Sequence, residues 1–140
     1  MLIGELASAT GTTTRTLRYY EEQGLLEPGR TAAGYRVYGP EAVVRVRNVR
    51  DLLASGFTVE NVTSFVRYLD SDLPEVFAYA EACAAHYEVG ARRVAELQAR
   101  IEALTRIRET LVRRMPWLAG GPADRAGTAQ RSSARNATGV

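Results

Sequence analysis

The sequence predicts a mostly α-helical fold: a pair of short helices, a small β-hairpin, two more helices, and a long helix with a continuous apolar seam. Three observations predict it. "ELASATGTTTRTLRYYEEQGLL" places two helical patterns either side of a tight glycine turn. "EPGRTAAGYRVYGP" sets an alternating run between helix breakers. From Val94 onward, apolar residues recur with heptad spacing.

The first helix is expected over Leu2–Ala9, with Ile3, Leu6 and Ala7 on one face. Gly11 interrupts it. Thr12 or Thr13 caps the second helix, which runs to about Gln23 and stops at Gly24. Ile3, Ala7, Leu17 and Tyr20 form the expected inner wall, which leaves Thr14, Arg15, Arg18, Tyr19 and Glu22 facing outward. Arginines three apart share a helix face.

Pro28 and Gly29 break any helix, and Gly34 closes a polar loop before Tyr35-Arg36-Val37-Tyr38. This is a short hairpin with Arg30 near its tip and Arg36 on the return strand. Pro40 sits in the first turn of the next helix, which runs to about Ala54 with Val43, Val46, Val49, Leu52 and Leu53 as its stripe. Arg45, Arg47 and Arg50 lie on this helix, and some of them should face outward. Thr58 caps a fourth helix, Val59–Leu69, with Val62, Phe65, Val66 and Leu69 inward.

Asp72-Leu73-Pro74-Glu75 resembles a capping box, so a new helix is expected there, running to Arg114 or breaking near Gly90. Val94, Leu97, Ile101, Leu104, Arg108, Leu111 and Met115 step alternately by three and four, a heptad seam interrupted by Arg108. From Tyr87 to Arg114 such a helix spans about 42 Å. A stripe this apolar needs a partner, and the simplest is the same helix of a second subunit, with Val94, Leu97, Ile101, Leu104 and Leu111 at the dimer interface. Residues 119–140 turn to Gly, Ala, Ser, Thr and Arg and are expected to be a disordered tail.

Composition sets bounds on function. The 140 residues are 46% hydrophobic and 24% charged, ordinary for one small soluble domain with an appendage. No run is apolar enough for a membrane span, and the N-terminus lacks a secretory pattern, so a cytoplasmic location is expected. Net charge is only +2, and residues 1–70 hold eight arginines against eight acids, so placement matters more than sum. Every basic residue is arginine, whose fork can grip phosphate or guanine through two bonds. The lone cysteine, Cys83, forms no internal disulfide or two-thiolate site and is expected to be a small buried hydrophobe. No nucleophile–base pair or phosphate loop is visible, so an enzyme is not expected, nor is a cofactor.

Residues 1–70 resemble the DNA-binding domain of the MerR family of bacterial transcription regulators. The resemblance rests on "IGELASATGTTTRTLRYYEEQGLL", "GYRVYGPEAVVRV" and "LLASGFTVENV". It implies a winged helix-turn-helix, with a further helix pair as a second wing. It also implies an antiparallel coiled coil joining two subunits, hence three segments: a DNA-binding domain (1–70), a linker and dimerisation helix (71–118) and the tail (119–140). DNA contacts carried over from the family fall on Arg15, Arg18, Tyr19, Tyr35 and Arg36, with Thr14 and Arg30 as additions. Tyr20 and Tyr38 are expected to be structural. A basic residue that often stands three before the "GF" glycine is Leu53 here; either Arg50, a turn earlier, substitutes or this contact is missing.

The implied partners are double-stranded promoter DNA, a second copy of the chain, and RNA polymerase at the promoter. The implied action is bending and untwisting of the promoter spacer from an inverted-repeat site. Metal-sensing relatives use a cysteine near the start of the long helix and more in a following loop. Cys83 lies near the first position, but "RRMPWLAGGPADRAG" has neither cysteine nor histidine. Metal sensing is therefore not expected, although His86 lies one turn from Cys83. Tyr68, Phe77, Tyr79, Cys83 and Tyr87, with Trp117, are candidates to line a small-molecule effector pocket, or else are ordinary packing. The alternative functions are an architectural or excisionase-like DNA-binding accessory protein and a helical interaction protein that does not touch DNA.

Overall fold

A computed structural model of the chain describes residues 1–118, so the expected tail at 119–140 lies outside the described residues. The elements are α1 (Ile3–Thr10), α2 (Thr14–Glu22), β1 (Gly29–Arg30), β2 (Arg36–Val37), α3 (Glu41–Ala54), α4 (Val59–Thr63) and α5 (Ala84–Arg114). Single 3-10 turns occur at Val66–Tyr68, Glu81–Cys83 and Pro116–Leu118. The mostly helical class with a two-stranded hairpin and a long last helix is the one the sequence predicts. The chain divides into two compact units, Met1–Arg93 and a second from Val94 onward.

In the first unit the α1–α2 turn forms as expected. Gly11 takes a left-handed φ of 62°, and Thr12 N–H donates back to the Ala7 carbonyl at 3.0 Å. The Thr13 hydroxyl accepts from Thr16 N–H at 3.1 Å and starts α2. Gly24, at φ 70°, ends it, with Leu25 N–H donating to the Tyr20 carbonyl at 2.8 Å. Leu6, Leu17, Leu25, Val46, Val49 and Leu52 make the fully buried centre, where α3 meets α1 and α4. Ala7, Tyr20 and Tyr38 are buried beside them, and Ile3 packs at the edge.

Two expectations need correction. The fourth helix is shorter: α4 stops at Thr63, and a 3-10 turn replaces its last residues. Thr58 and Asn61 cap it reciprocally at 3.1 and 3.2 Å. Beyond that the run of Val62, Thr63 and Val66 offers little intrinsic helix propensity, and the bonds tighten to Ser64 N–H with Asn61 and Phe65 N–H with Val62. Secondly, no helix starts at Asp72; residues 71–80 have no regular structure, and α5 begins at Ala84. Val76, Phe77 and Tyr79 stay exposed, so a short helix there would lack the tertiary packing that stabilises short helices. Of the two alternatives for the long helix, the end at Arg114 is the one found, and Gly90 does not break α5.

Side chains of α3 hold the chain leaving the 3-10 turn. Arg45 grips Asp70 through Nε and Nη2 at 2.6 and 2.5 Å, and Asn48 Nδ2 donates to the Leu69 and Ser71 carbonyls at 2.9 and 2.7 Å. The start of α5 is anchored within the same unit. His86 Nε2 donates to the Ser64 carbonyl at 3.0 Å, its ring packs 5.0 Å from Phe65 and 5.1 Å from Tyr68, and Arg93 Nε donates to the Gly56 carbonyl at 2.7 Å.

In the second unit, α5 presents the heptad seam. Val94, Leu97, Ile101, Leu104 and Leu111 are all exposed, Leu104 by 66%. Ile107, absent from the expected seam, is also exposed and follows the stripe where Arg108 interrupts it.

Candidate nucleic-acid interface

The α2 helix divides its residues cleanly. Leu17 and Tyr20 are buried, while Thr14, Arg15, Arg18, Tyr19 and Glu22 are exposed. Neither Arg15 nor Arg18 hydrogen-bonds or ion-pairs with another group among the described residues. Helix geometry puts the two guanidinium groups on one face, three residues apart. Such forks suit paired acceptors, either two phosphate oxygens or the edge of a guanine.

The hairpin adds a second basic element. Arg30 and Arg36 are register partners, directly opposite each other across the antiparallel pair. Arg30 is the last residue of β1 and adjoins the turn, near the hairpin tip as the sequence suggested. Gly34, at φ 84°, makes the turn, with Gly34 N–H donating to the Thr31 carbonyl at 2.8 Å. Arg30 Nη1 donates to the Gly34 carbonyl at 3.2 Å, and Tyr35 is exposed. Like charges opposite each other in a ribbon are unfavourable on their own. An anion brought between them relieves that cost.

One carboxylate joins the two elements, and sequence reasoning missed it. Glu21, on α2, accepts a short hydrogen bond from the Tyr38 hydroxyl and pairs with Arg36 Nε at 3.3 Å. Tyr38 is buried, as expected for a structural residue. Burial first, then the Glu21 hydrogen bond and charge, push its phenol up to about 12, against the opposing pull of Arg36 and Arg18. The contact spans fifteen to seventeen residues of sequence, so no local pattern announces it.

The α3 arginines part company. Arg45 is committed to Asp70, and Arg47 is exposed. Arg50 Nη1 donates to the Thr10 carbonyl at the end of α1, where a cation also complements the helix dipole. Its side chain nonetheless remains exposed. Leu53 is partly buried against the core.

The candidate effector residues make different ring contacts. Tyr68 stands against His86, Tyr79 packs edge-on to Tyr87 at 5.8 Å, and Phe77 is exposed without a ring partner among the described residues. Cys83 is partly buried. No group of three or more His, Cys, Asp or Glu residues is placed to hold a metal ion among the described residues. Nor is any described helix long and apolar enough to cross a membrane.

Comparison with known proteins identifies the family. Residues 1–69 match the model of the MerR HTH family regulatory proteins. The chain is 33% identical over 111 residues to the mercuric resistance operon regulatory protein of Bacillus cereus, covering 79% of each protein. It is 32% identical over 112 residues to the HTH-type transcriptional regulator HmrR of Rhizobium leguminosarum bv. viciae, covering 79% of this chain and 81% of that one. Among solved structures, the transcription regulator PbrR691 from Ralstonia metallidurans CH34, in complex with lead(II), superposes with a TM-score of 0.66 at 26% identity, over 81% of this chain and 86% of that one. The chain belongs to the MerR family and is a DNA-binding transcription regulator.

Proposed function

We propose that this MerR-family chain acts in the cytoplasm as a homodimer on an inverted-repeat promoter site and alters transcription by bending and untwisting the promoter spacer for RNA polymerase. The observation that carries the reading is the pair of unpartnered guanidinium groups on the outer face of α2, Arg15 and Arg18. In each half-site α2 enters the major groove, with Thr14, Arg15, Arg18 and Tyr19 reaching bases and phosphates. Arg30, Tyr35 and Arg36 grip the flanking backbone from the hairpin, and Arg50 adds a contact near the end of α1.

The exposed seam of α5 supports pairing, because a heptad stripe left in water is unfavourable and a second copy covers it in an antiparallel coiled coil. A two-fold dimer calls for a two-fold operator. Deforming a spacer costs several kcal/mol by elastic estimates, roughly 1–6 for a site of this kind, so grip on both half-sites is physically needed.

Metal sensing is not part of the proposal. Two of the similar proteins named above have a metal in their own descriptions, but this sequence holds a single cysteine and a single histidine. A soft metal held by thiolates would find one sulfur per subunit.

The test is Arg18→Ala, assayed by fluorescence anisotropy on a DNA site selected from a random pool by the wild-type protein. Loss of preference for that site by roughly tenfold or more is expected, the scale of one bidentate base contact. Helicity and sedimentation should be unchanged. Undiminished preference would overturn the assignment of α2 as the recognition helix.

A further inference from the structure

We infer that Glu21 is a positioning residue of the DNA interface, holding Arg36 of the hairpin in a phosphate-ready orientation relative to α2. This rests on the DNA-binding reading above. The Glu21 carboxylate pairs with Arg36 at Nε, 3.3 Å away. Both terminal nitrogens of Arg36 bond no group among the described residues, and the side chain is 52% exposed. Those two nitrogens form the edge of the guanidinium fork that takes a phosphate through parallel bonds.

The placement of the carboxylate supports the inference. An acidic group beside a DNA-binding surface repels phosphate, so a merely solvated glutamate there would lower affinity. Glu21 is instead largely enclosed, its side chain 12% exposed, with one oxygen on the Tyr38 hydroxyl and the other on Arg36. Its charge is spent within the protein. What remains outward is an arginine whose long side chain is already ordered before DNA arrives. Ordering such a side chain is one of the costs of association, and a preformed contact removes it.

A double-mutant cycle on the selected operator tests this, with wild type, Glu21→Gln, Arg36→Ala and the double variant. Glutamine still accepts from the Tyr38 hydroxyl but loses the ion pair. With Arg36 present, Glu21→Gln is expected to weaken binding roughly three- to tenfold, the cost of immobilising one freed side chain. With alanine at position 36, the same change is expected to be neutral or to strengthen binding, because only a repulsive charge has gone. Equal factors in both backgrounds would overturn the inference.

Two further readings keep it separate from fold stability. The Arg36 Nε–H order parameter should be high in the free wild type and fall in Glu21→Gln; no difference would overturn the inference. Tyr38→Phe, which keeps the Arg36 pair, should lower the melting temperature without changing DNA affinity. A Tyr38→Phe loss equal to that of Glu21→Gln would make the carboxylate a stabiliser of the hairpin and overturn it. If wild type selects no site, or Arg36→Ala binds as tightly as wild type, the DNA-interface reading fails together with the inference.

Discussion

Leu104→Asp probes the dimer that the DNA-binding proposal requires. Leu104 lies at the middle of the seam and is 66% exposed in the single chain. A fully buried leucine is worth about 1.5–3 kcal/mol relative to an exposed one. About a third of that burial already exists within the chain, so pairing adds about 1–2 kcal/mol per copy, or about 2–4 kcal/mol per dimer. Losing it weakens association by roughly 30- to 1000-fold. Facing two carboxylates across a closed seam weakens it further. The single chain should tolerate the change, since the side chain contributes little to its own unit. The assay is sedimentation velocity across a dilution series, with helicity followed by circular dichroism. Arg106→Asp, two residues away on the opposite side of the heptad, is the control and should leave association intact. A Leu104→Asp protein that remains dimeric with wild-type affinity would refute the seam as the interface.

Other predictions concern stability and sensing. Arg45 beside Asp70 holds that carboxyl below its ordinary range, chiefly through the hydrogen bonds, so the pair's contribution is present above the unfolded-state value and lost as pH falls through the lower folded value. Asp70 is 47% exposed, so Asp70→Asn should cost only about 0.5–1 kcal/mol near neutrality, and the gap to wild type should close in strong acid, read by urea unfolding. Tyr38 has the opposite sign: its protonated form is favoured in the fold, so stability is held below the ordinary phenol value and declines as pH rises toward about 12. Tyr38→Phe should reduce that alkaline decline, followed by circular dichroism, while buried Tyr20, whose phenol is also raised by burial, keeps part of it. Mercuric or lead ion should leave operator affinity unchanged in wild type and in Cys83→Ser alike; a metal response present in wild type and absent from the serine variant would restore metal sensing.

Much of the fold was legible because its signals are local. Thr13, Gly11 and Gly24 mark the ends of α1 and α2 through side-chain capping and left-handed backbone, both properties of single residues. The alternation of Leu17 and Tyr20 with Arg15 and Arg18 settles which face of α2 is buried. Failures came where tertiary contact decides. The Asp72–Glu75 pattern is a good cap for a helix with no packing surface, and none forms. Glu21 was hidden among the acids of "YYEEQ", since nothing in the string distinguishes the glutamate that meets Tyr38 and Arg36 from Glu22, which is exposed.

Selection of binding sites from random DNA, followed by hydroxyl-radical footprinting, asks whether two copies of the α2 face grip DNA together. A single enriched inverted repeat is expected. Its two half-sites should be protected on one side of the duplex, with centres one helical turn or a multiple apart, about 34–36 Å for one turn. A lone half-site, a set of direct repeats, or no enrichment above bulk DNA would contradict it.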